Sequence, residues 1–163
     1  MRALDKAPFL ARFGGVYEAS PWVAEAVWPK VAGGEIRDLA ALKAAMREAV
    51  DGAGRDRQMA LVRAHPELAS RTRMADASVR EQSGAGLDQC SAEEFAAFER
   101  LNAAYNARFG FPFIVAVKGL GRRDILERFE ARLENDPEAE FHAAMDQIHR
   151  IASFRLDDLE FGA

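Results

Sequence analysis

The stretch AHPELASRTRMADASVREQSGAGL, residues 64–87, combines a proline corner at His65-Pro66 with a polar cluster of Ser78, Glu81 and Gln82. Residues three and four apart lie on one face of a helix, so this spacing directs a hydroxyl, a carboxylate and an amide the same way. A histidine held at the nearby corner completes a small polar site that can move protons. The same Ser-x-x-Glu spacing is also that of a capping box, in which Ser78 and Glu81 only satisfy the first N–H groups of a helix.

The composition is that of a globular protein, since 49% of the 163 residues are apolar and 29% are charged. This length favours a single domain, residues 1–163. The net charge of −4 comes without a dense basic patch, which argues against a nucleic-acid partner. No apolar run is long enough to span a bilayer and no secretory core is visible, so we expect no membrane association and a cytoplasmic location. Cys90 is the single cysteine, which excludes an intramolecular disulfide and argues against a zinc site.

Most of the chain has helical rather than alternating periodicity, which predicts an all-α domain of about seven or eight helices. Ser20-Pro21, Asp38 and the capping box from Ser91 to Glu94 are typical helix starts. Pro29 is typical of a helix end. The predicted helices are residues 4–13, 22–28, 39–50, 55–64, 92–108, 123–133 and 137–159, with a further helix across the Ser78 cluster.

The segment FGFPFIVAVKGLG, residues 109–121, is unusually rich in β-branched and aromatic residues. A lone strand has no partner, so the pattern predicts one buried extended segment near residues 111–118 instead of a sheet. The N–H and C=O groups of such a segment must find hydrogen-bond partners. A bound ligand is one possible partner, and ordinary side chains or water are the other.

The last predicted helix carries an arginine on its apolar stripe. Phe141, Met145, Ile148 and Ala152 share the stripe, and Arg155 falls on it too. A guanidinium that faces a core needs a carboxylate or a ligand anion beside it. A buried Arg–Glu pair or a snorkelling side chain is the structural interpretation, and a clamp for a planar anion is the functional one.

The three histidines differ in their surroundings. His142 and His149 are seven residues apart at the edge of the apolar stripe, with no third ligand beside them. We therefore interpret both as partly exposed surface residues and predict no metal site. His65 follows an apolar helix and precedes a proline, where helices meet, which makes it the candidate acid or base.

Five motifs together resemble a known family. They are FGGVYEASPWVAEAVW, AHPELA, SVREQSGAGL, LNAAYNARFGFPFIVAVKG and RLENDPEAEFHAAMDQIHRIASFRLDDL. They look like the successive motifs of the 2-oxo-4-hydroxy-4-carboxy-5-ureidoimidazoline (OHCU) decarboxylases of urate breakdown, over nearly the whole chain. The resemblance implies a small all-helical, commonly dimeric enzyme with no metal or organic cofactor. It would convert OHCU, a small anionic substrate, to (S)-allantoin and CO2.

The resemblance also implies roles for individual residues. The family's catalytic histidine matches His65, its catalytic carboxylate matches Glu81, and its substrate-binding arginine matches Arg155. His65 would donate or relay a proton, and Glu81 would orient His65 or the substrate hydroxyl. The other implied substrate contacts are Pro66, Ser78, Gln82 and the backbone of Phe113, Ile114, Val115, Ala116 and Val117.

Two other functions stay open from the residues alone. One is a non-catalytic helical module that binds a ligand or a partner, in which His65 and Arg155 are structural. The other is a different cofactor-free lyase or hydrolase that acts on a related ureido anion. The end of the chain, LEFGA, is not a peroxisomal signal, which fits the cytoplasmic expectation.

Overall fold

The computed structural model describes residues 5–69 and 76–161, and within them every regular element is helical. The elements are α1 (Lys6–Phe13), α2 (Trp22–Ala32), α3 (Leu39–Asp51), α4 (Arg55–Ala64), α5 (Asp76–Gly84), a 3₁₀ turn (Leu87–Gln89), α6 (Ala92–Phe109), α7 (Arg122–Arg132) and α8 (Pro137–Leu159). The predicted all-α class is therefore confirmed. No helix in the described ranges is both long and apolar enough to cross a membrane.

Three of the described helices begin with a side-chain cap, and two of these caps, Asp38 and Ser91, are the predicted ones. Asp38 Oδ1 accepts a hydrogen bond from the N–H of Ala41 at 2.7 Å. Ser91 and Glu94 form the reciprocal capping box, with both hydrogen bonds at 3.1 Å. Asp136 accepts from the third residue of α8 at 3.0 Å. Local capping chemistry thus determines where α3, α6 and α8 begin.

The first two helices differ from the predicted bounds. Leu4, the predicted start of the first helix, lies outside the described residues, and α1 begins at Lys6. Ser20 does not cap α2, because its hydroxyl donates to the carbonyl of Glu18 at 2.8 Å. Pro29 lies inside α2 instead of ending it. The fixed φ of proline suits a helix, and the helix continues because the Gly33 N–H donates to the Pro29 carbonyl at 2.9 Å.

The chain divides into two compact units, with boundaries after Ala64 and after Gln147. The first unit contains α1–α4 and the part of α8 from Ile148 onward. Its helices bury their apolar faces, and the rings of Phe9 and Trp28 lie 5.2 Å apart between α1 and α2. Its most buried side chains include Phe9, Phe13, Val23, Val27, Leu42, Met46, Val50, Leu61, Val62, Ile148, Ala152 and Leu156.

The second unit contains α5–α7 and the first half of α8, with an aromatic core. The rings of Phe113 and Phe129 stack with centroids 4.0 Å apart, and Tyr105 lies edge-on to both. After α6, Gly110 adopts φ +75°, a left-handed conformation that glycine accepts without strain, and the chain leaves the helix. The residues from Phe111 to Val117 form neither helix nor strand, and all seven are buried. The predicted buried non-helical segment is confirmed.

Candidate active site

The polar cluster of the central stretch lies inside α5. The helix begins at Asp76, three residues before the start at Val79 that a capping box at Ser78 requires, so the capping interpretation of Ser78 and Glu81 is wrong. Ser78 and Gln82 are four residues apart and both are buried, with 4% and 6% of their surface exposed. Glu81 is partly exposed. The shared helix face that the spacing predicts therefore turns a hydroxyl and an amide toward the interior of the second unit.

Gln82 holds the loop that follows His65. Its Oε1 accepts from the N–H of Ala69 at 3.0 Å, and its Nε2 donates to the carbonyl of Glu67 at 3.3 Å. An amide side chain carries an acceptor oxygen and a donor nitrogen side by side, whereas an ionised carboxylate of the same length only accepts. His65 is itself buried, with 8% of its surface exposed. The structure therefore connects α5 directly to the loop of the candidate acid–base residue.

Two asparagines of α6 hold the same loop from another helix. Asn102 Nδ2 donates to the carbonyl of Leu68 at 3.0 Å, and Asn106 Nδ2 donates to Glu67 Oε1 at 2.6 Å. Asn102 is buried, and within the described parts of the chain its Oδ1 has no hydrogen-bond donor. A buried acceptor without a donor costs about 1–3 kcal/mol unless a ligand or water supplies one. Sequence reasoning missed both asparagines, because they show no local pattern that marks them.

The segment from Phe113 to Val117 is anchored by two side chains of the second unit. The guanidinium of Arg132 donates through Nη1 to the carbonyl of Ile114, and it lies 4.6 Å from the centre of the Phe113 ring. Gln147 Oε1 accepts from the N–H of Ala116 at 2.9 Å. The anchors come from α7 and α8, so helix packing determines where this segment lies.

The remaining amides of the segment have no such anchor. Within the described residues of the second unit, the N–H groups of Phe113, Ile114, Val115 and Val117 have no hydrogen-bond acceptor. All four residues are at least nine-tenths buried. Buried backbone N–H groups are rarely left unpaired in native proteins. This row of amides is therefore a candidate binding surface for a ligand with oxygen acceptors.

A buried glutamate supports one of the anchors. Glu140 is fully buried and accepts from Tyr105, from Arg132 Nε at 2.7 Å and from Asn135 Nδ2 at 3.0 Å. Burial, followed by the hydrogen bond to Glu140, raises the pKa of Tyr105, so this phenol stays protonated and donates. The buried position of Glu140 could not be predicted from the sequence, because a single acidic residue near a helix start is usually solvated.

Arg155 has a carboxylate partner in the first unit. Its Nη1 donates to Glu18 Oε2 at 2.9 Å and to the carbonyl of Val16 at 3.3 Å. Both charged side chains are buried, with 9% of Arg155 and 6% of Glu18 exposed. The burial of Arg155 on the stripe of α8 is confirmed, and the buried Arg–Glu pair that the sequence allowed is present. Its role toward a substrate stays a prediction.

His149 corrects the interpretation of the two C-terminal histidines. His142 is exposed as expected, but His149 is buried, with only 6% of its surface exposed. Tyr17 lies 2.8 Å from His149 Nδ1, and Asp51 Oδ1 lies 2.9 Å from Nε2. Burial, and then the charge of Asp51, raises the pKa of Tyr17, so its O–H donates to Nδ1 and leaves the Nε2–H for Asp51. Helical periodicity missed this because both partners are distant in the sequence.

A surface cleft of about 160 Å³ opens beside this histidine in the first unit. Its lining includes Tyr17, Lys43, Arg47, His149 and Ser153, and none of the site residues predicted from the sequence. Both of its cations have carboxylate partners, since Lys43 pairs with Asp157 and Arg47 lies 3.7 Å from Asp51.

The candidates for redox chemistry and metal binding are Cys90 and the acidic and histidine side chains. Cys90 Sγ lies 3.3 Å from the carbonyl of Leu87. Burial, with Glu94 nearby, raises the pKa of the Cys90 thiol and so reduces the reactive thiolate. Among the residues described by the structure, no three His, Cys, Asp or Glu side chains are grouped closely enough to hold a metal ion.

Comparison with known proteins identifies clear relatives. Residues 2–157 match the family model described as OHCU decarboxylase. A 2-oxo-4-hydroxy-4-carboxy-5-ureidoimidazoline decarboxylase of Haloferax volcanii is 42% identical over 94% of this chain and 89% of its own length. The crystal structure of an (S)-allantoin synthase is 31% identical with a TM-score of 0.78, covering 96% of this chain and 51% of that one. An OHCU decarboxylase crystallised in the presence of (S)-allantoin shares the fold, with a TM-score of 0.73, 21% identity, and coverage of 91% of this chain and 96% of that one.

Proposed function

The chain belongs to the OHCU decarboxylase family, and from this premise we propose that it decarboxylates OHCU to (S)-allantoin and CO2 in urate breakdown without a cofactor. It is thus a carboxy-lyase that acts on a small anionic molecule. The family match over residues 2–157 supports the reaction class. The structural observation that carries the proposal is the row of buried amides between Phe113 and Val117.

These amides suit the proposed substrate chemically. OHCU carries carbonyl and carboxylate oxygens that accept hydrogen bonds, and its ureido group carries N–H donors. Oxygens of the ring or ureido group can accept from the amides of Val115 and its neighbours, while Asn102 Oδ1 is a buried acceptor in the same unit. Each buried polar group that the ligand satisfies recovers about 1–3 kcal/mol of desolvation cost. The free protein is therefore poised to bind a polar ring.

The reaction requires one bond to break and one proton to be added. The bond between the ring carbon and the carboxylate breaks, CO2 leaves, and the electron pair moves into the neighbouring imine or carbonyl system. One proton then replaces the carboxylate, and its delivery to a single face makes the product one enantiomer. We assign the proton transfer to His65 as general acid or base, with Glu81 orienting His65 or the substrate hydroxyl.

The other proposed contacts hold the substrate in place. Ser78 and Gln82 lie buried on one face of α5, where a hydroxyl and an amide can bind the ureido group. Pro66 restrains the backbone next to His65. For Arg155 we propose binding of a substrate oxygen through its fork of donors, whose positive charge Glu18 partly balances.

A coupled assay tests the function. OHCU is generated in the cuvette from urate with an oxidase and a hydrolase, and the optical activity of the product is followed by circular dichroism. We expect the protein to accelerate formation of (S)-allantoin in proportion to its concentration, with the rate unchanged after treatment with a chelator. Binding of OHCU without turnover, or a racemic product at the uncatalysed rate, would show that the protein is a binding module instead. Turnover of only a related ureido anion would identify a different lyase.

The assembly and location of the protein are also proposals. We propose a homodimer in the cytoplasm, with residues 1–163 acting as one domain, as the family resemblance implies. Sedimentation velocity at micromolar concentration should give twice the chain mass of 18.0 kDa. A species with the mass of one chain at all concentrations contradicts the dimer. Fractionation of cells that make the protein tests the location.

A further inference from the structure

Two side chains, Arg132 and Gln147, anchor the segment between Phe113 and Val117. The residues that they bind are two positions apart in the sequence. Arg132 binds the carbonyl of Ile114, and Gln147 binds the N–H of Ala116. In an extended chain, the N–H and C=O of one residue point to one edge, and those of the next residue point to the opposite edge. The bound carbonyl and the bound N–H therefore belong to one edge of the segment. The opposite edge carries the N–H groups of the odd-numbered residues.

Neither of these two side chains binds the opposite edge. The N–H groups of Phe113, Val115 and Val117 have no acceptor within the described residues of the second unit. The carbonyl of Val117 is used locally, since it accepts from Leu120 at 3.0 Å in the following turn. On this edge, the backbone N–H and C=O groups of Phe113 and Val115 are therefore available to bind another molecule.

The two anchors differ in how they are supported. Arg132 is held by the fully buried Glu140, so its substitution would disturb the core of the second unit. Gln147 lies on α8, is only partly buried and makes its contact through a single oxygen. Gln147 is therefore the anchor whose function can be separated from folding.

We propose that Gln147 is a positioning residue for the decarboxylation. By holding the Ala116 N–H, it fixes the rotation of the segment so that the backbone edge of Phe113 and Val115 faces the substrate. This inference rests on the proposed function, because it assumes that the substrate binds this segment. Gln147 acts through the backbone and does not itself need to touch the reacting atoms.

Three variants test the proposal. Gln147→Leu removes the acceptor while keeping similar size, and we expect kcat to fall about ten- to a hundredfold, as a misplaced binding edge requires. Gln147→Glu retains an acceptor oxygen, so kcat should stay within about threefold of the original protein, with its added charge affecting mainly KM. Gln89→Leu is the matched control, because Gln89 is exposed and its side chain makes no described hydrogen bond. Unchanged kcat in Gln147→Leu, or an equal loss in Gln147→Glu, overturns the proposal.

Amide hydrogen exchange tests the role of Gln147 without any turnover of OHCU, so it can succeed or fail independently of the proposed function. Amide hydrogen exchange of the free protein should show a protected Ala116 N–H whose exchange accelerates at least about tenfold in Gln147→Leu, with α8 unaffected. Addition of (S)-allantoin should shift the amide NMR signals of Phe113 and Val115 more than that of Ala116. If the original protein does not decarboxylate OHCU, the proposed function fails, but exchange still decides the anchor. An unchanged Ala116 exchange rate overturns the anchor even if the protein is active.

Discussion

His65→Asn should lower kcat for OHCU decarboxylation by about 10²–10⁴-fold, the usual contribution of a general acid or base. Asparagine keeps a polar side chain of similar reach but cannot exchange a proton at neutral pH. His65 is buried in a loop that Gln82 and the asparagines of α6 hold, so the substitution should leave the fold intact. The product that still forms should lose its chirality, because an intermediate released into water is protonated on either face. The measurement is the rate and optical activity of the coupled assay.

His142→Asn is the matched control for this variant. His142 has 70% of its side chain exposed and pairs with Glu138 one helical turn away. We expect its kcat and product chirality to equal those of the original protein. An active His65→Asn variant that still makes one enantiomer would remove His65 from the proton transfer and leave Glu81 as the remaining candidate.

Glu18→Ala should lower the free energy of unfolding by about 3–5 kcal/mol, because it removes the carboxylate that lies 2.9 Å from the buried guanidinium of Arg155. The contacts of Arg155 with the carbonyls of Gly15 and Val16 are longer, at 3.4 and 3.3 Å, and a neutral carbonyl does not balance the positive charge. Urea denaturation followed by circular dichroism measures the change. If residues 1–163 form one domain, the original protein should unfold in urea in a single cooperative transition.

Glu127→Ala provides the control for Glu18→Ala. Glu127 forms an exposed pair with Arg123 at 3.5 Å, one helical turn apart on α7. Exposed pairs of this kind contribute only about 0.3–0.5 kcal/mol, so its loss should be near that value. If both variants lose similar amounts, the Arg155–Glu18 pair does not stabilise the fold as its burial implies.

The same pair separates the structural and substrate roles of Arg155. Arg155→Ala alone should lose both stability and binding, because it removes the guanidinium that pairs with the buried carboxylate of Glu18. The double variant Glu18→Ala with Arg155→Ala removes both charges and should recover part of the stability. A folded double variant with a raised KM and a retained kcat supports substrate binding by Arg155. An unchanged KM shows that Arg155 is only structural.

Local patterns correctly predicted much of the architecture. The capping residues Asp38 and Ser91, the buried Arg155 on the stripe of α8 and the buried segment near residues 111–118 were all visible in the sequence. Each depends on spacing within a few turns of chain, which helical periodicity and capping chemistry encode directly. The capping interpretation of Ser78 failed for a related reason, since Ser-x-x-Glu looks the same at a helix start and inside a helix.

The sequence by itself determined the helical class, most helix bounds, the family and the residue types available for proton transfer and anion binding. Only the tertiary structure decided which residues, distant in the sequence, form hydrogen bonds with one another. Tyr17 and His149 are 132 residues apart, Glu18 and Arg155 are 137 apart, and Ala116 and Gln147 are 31 apart. Hydrogen bonds at such separations leave no periodic signal in one sequence, because they depend on how packed helices bring distant side chains together.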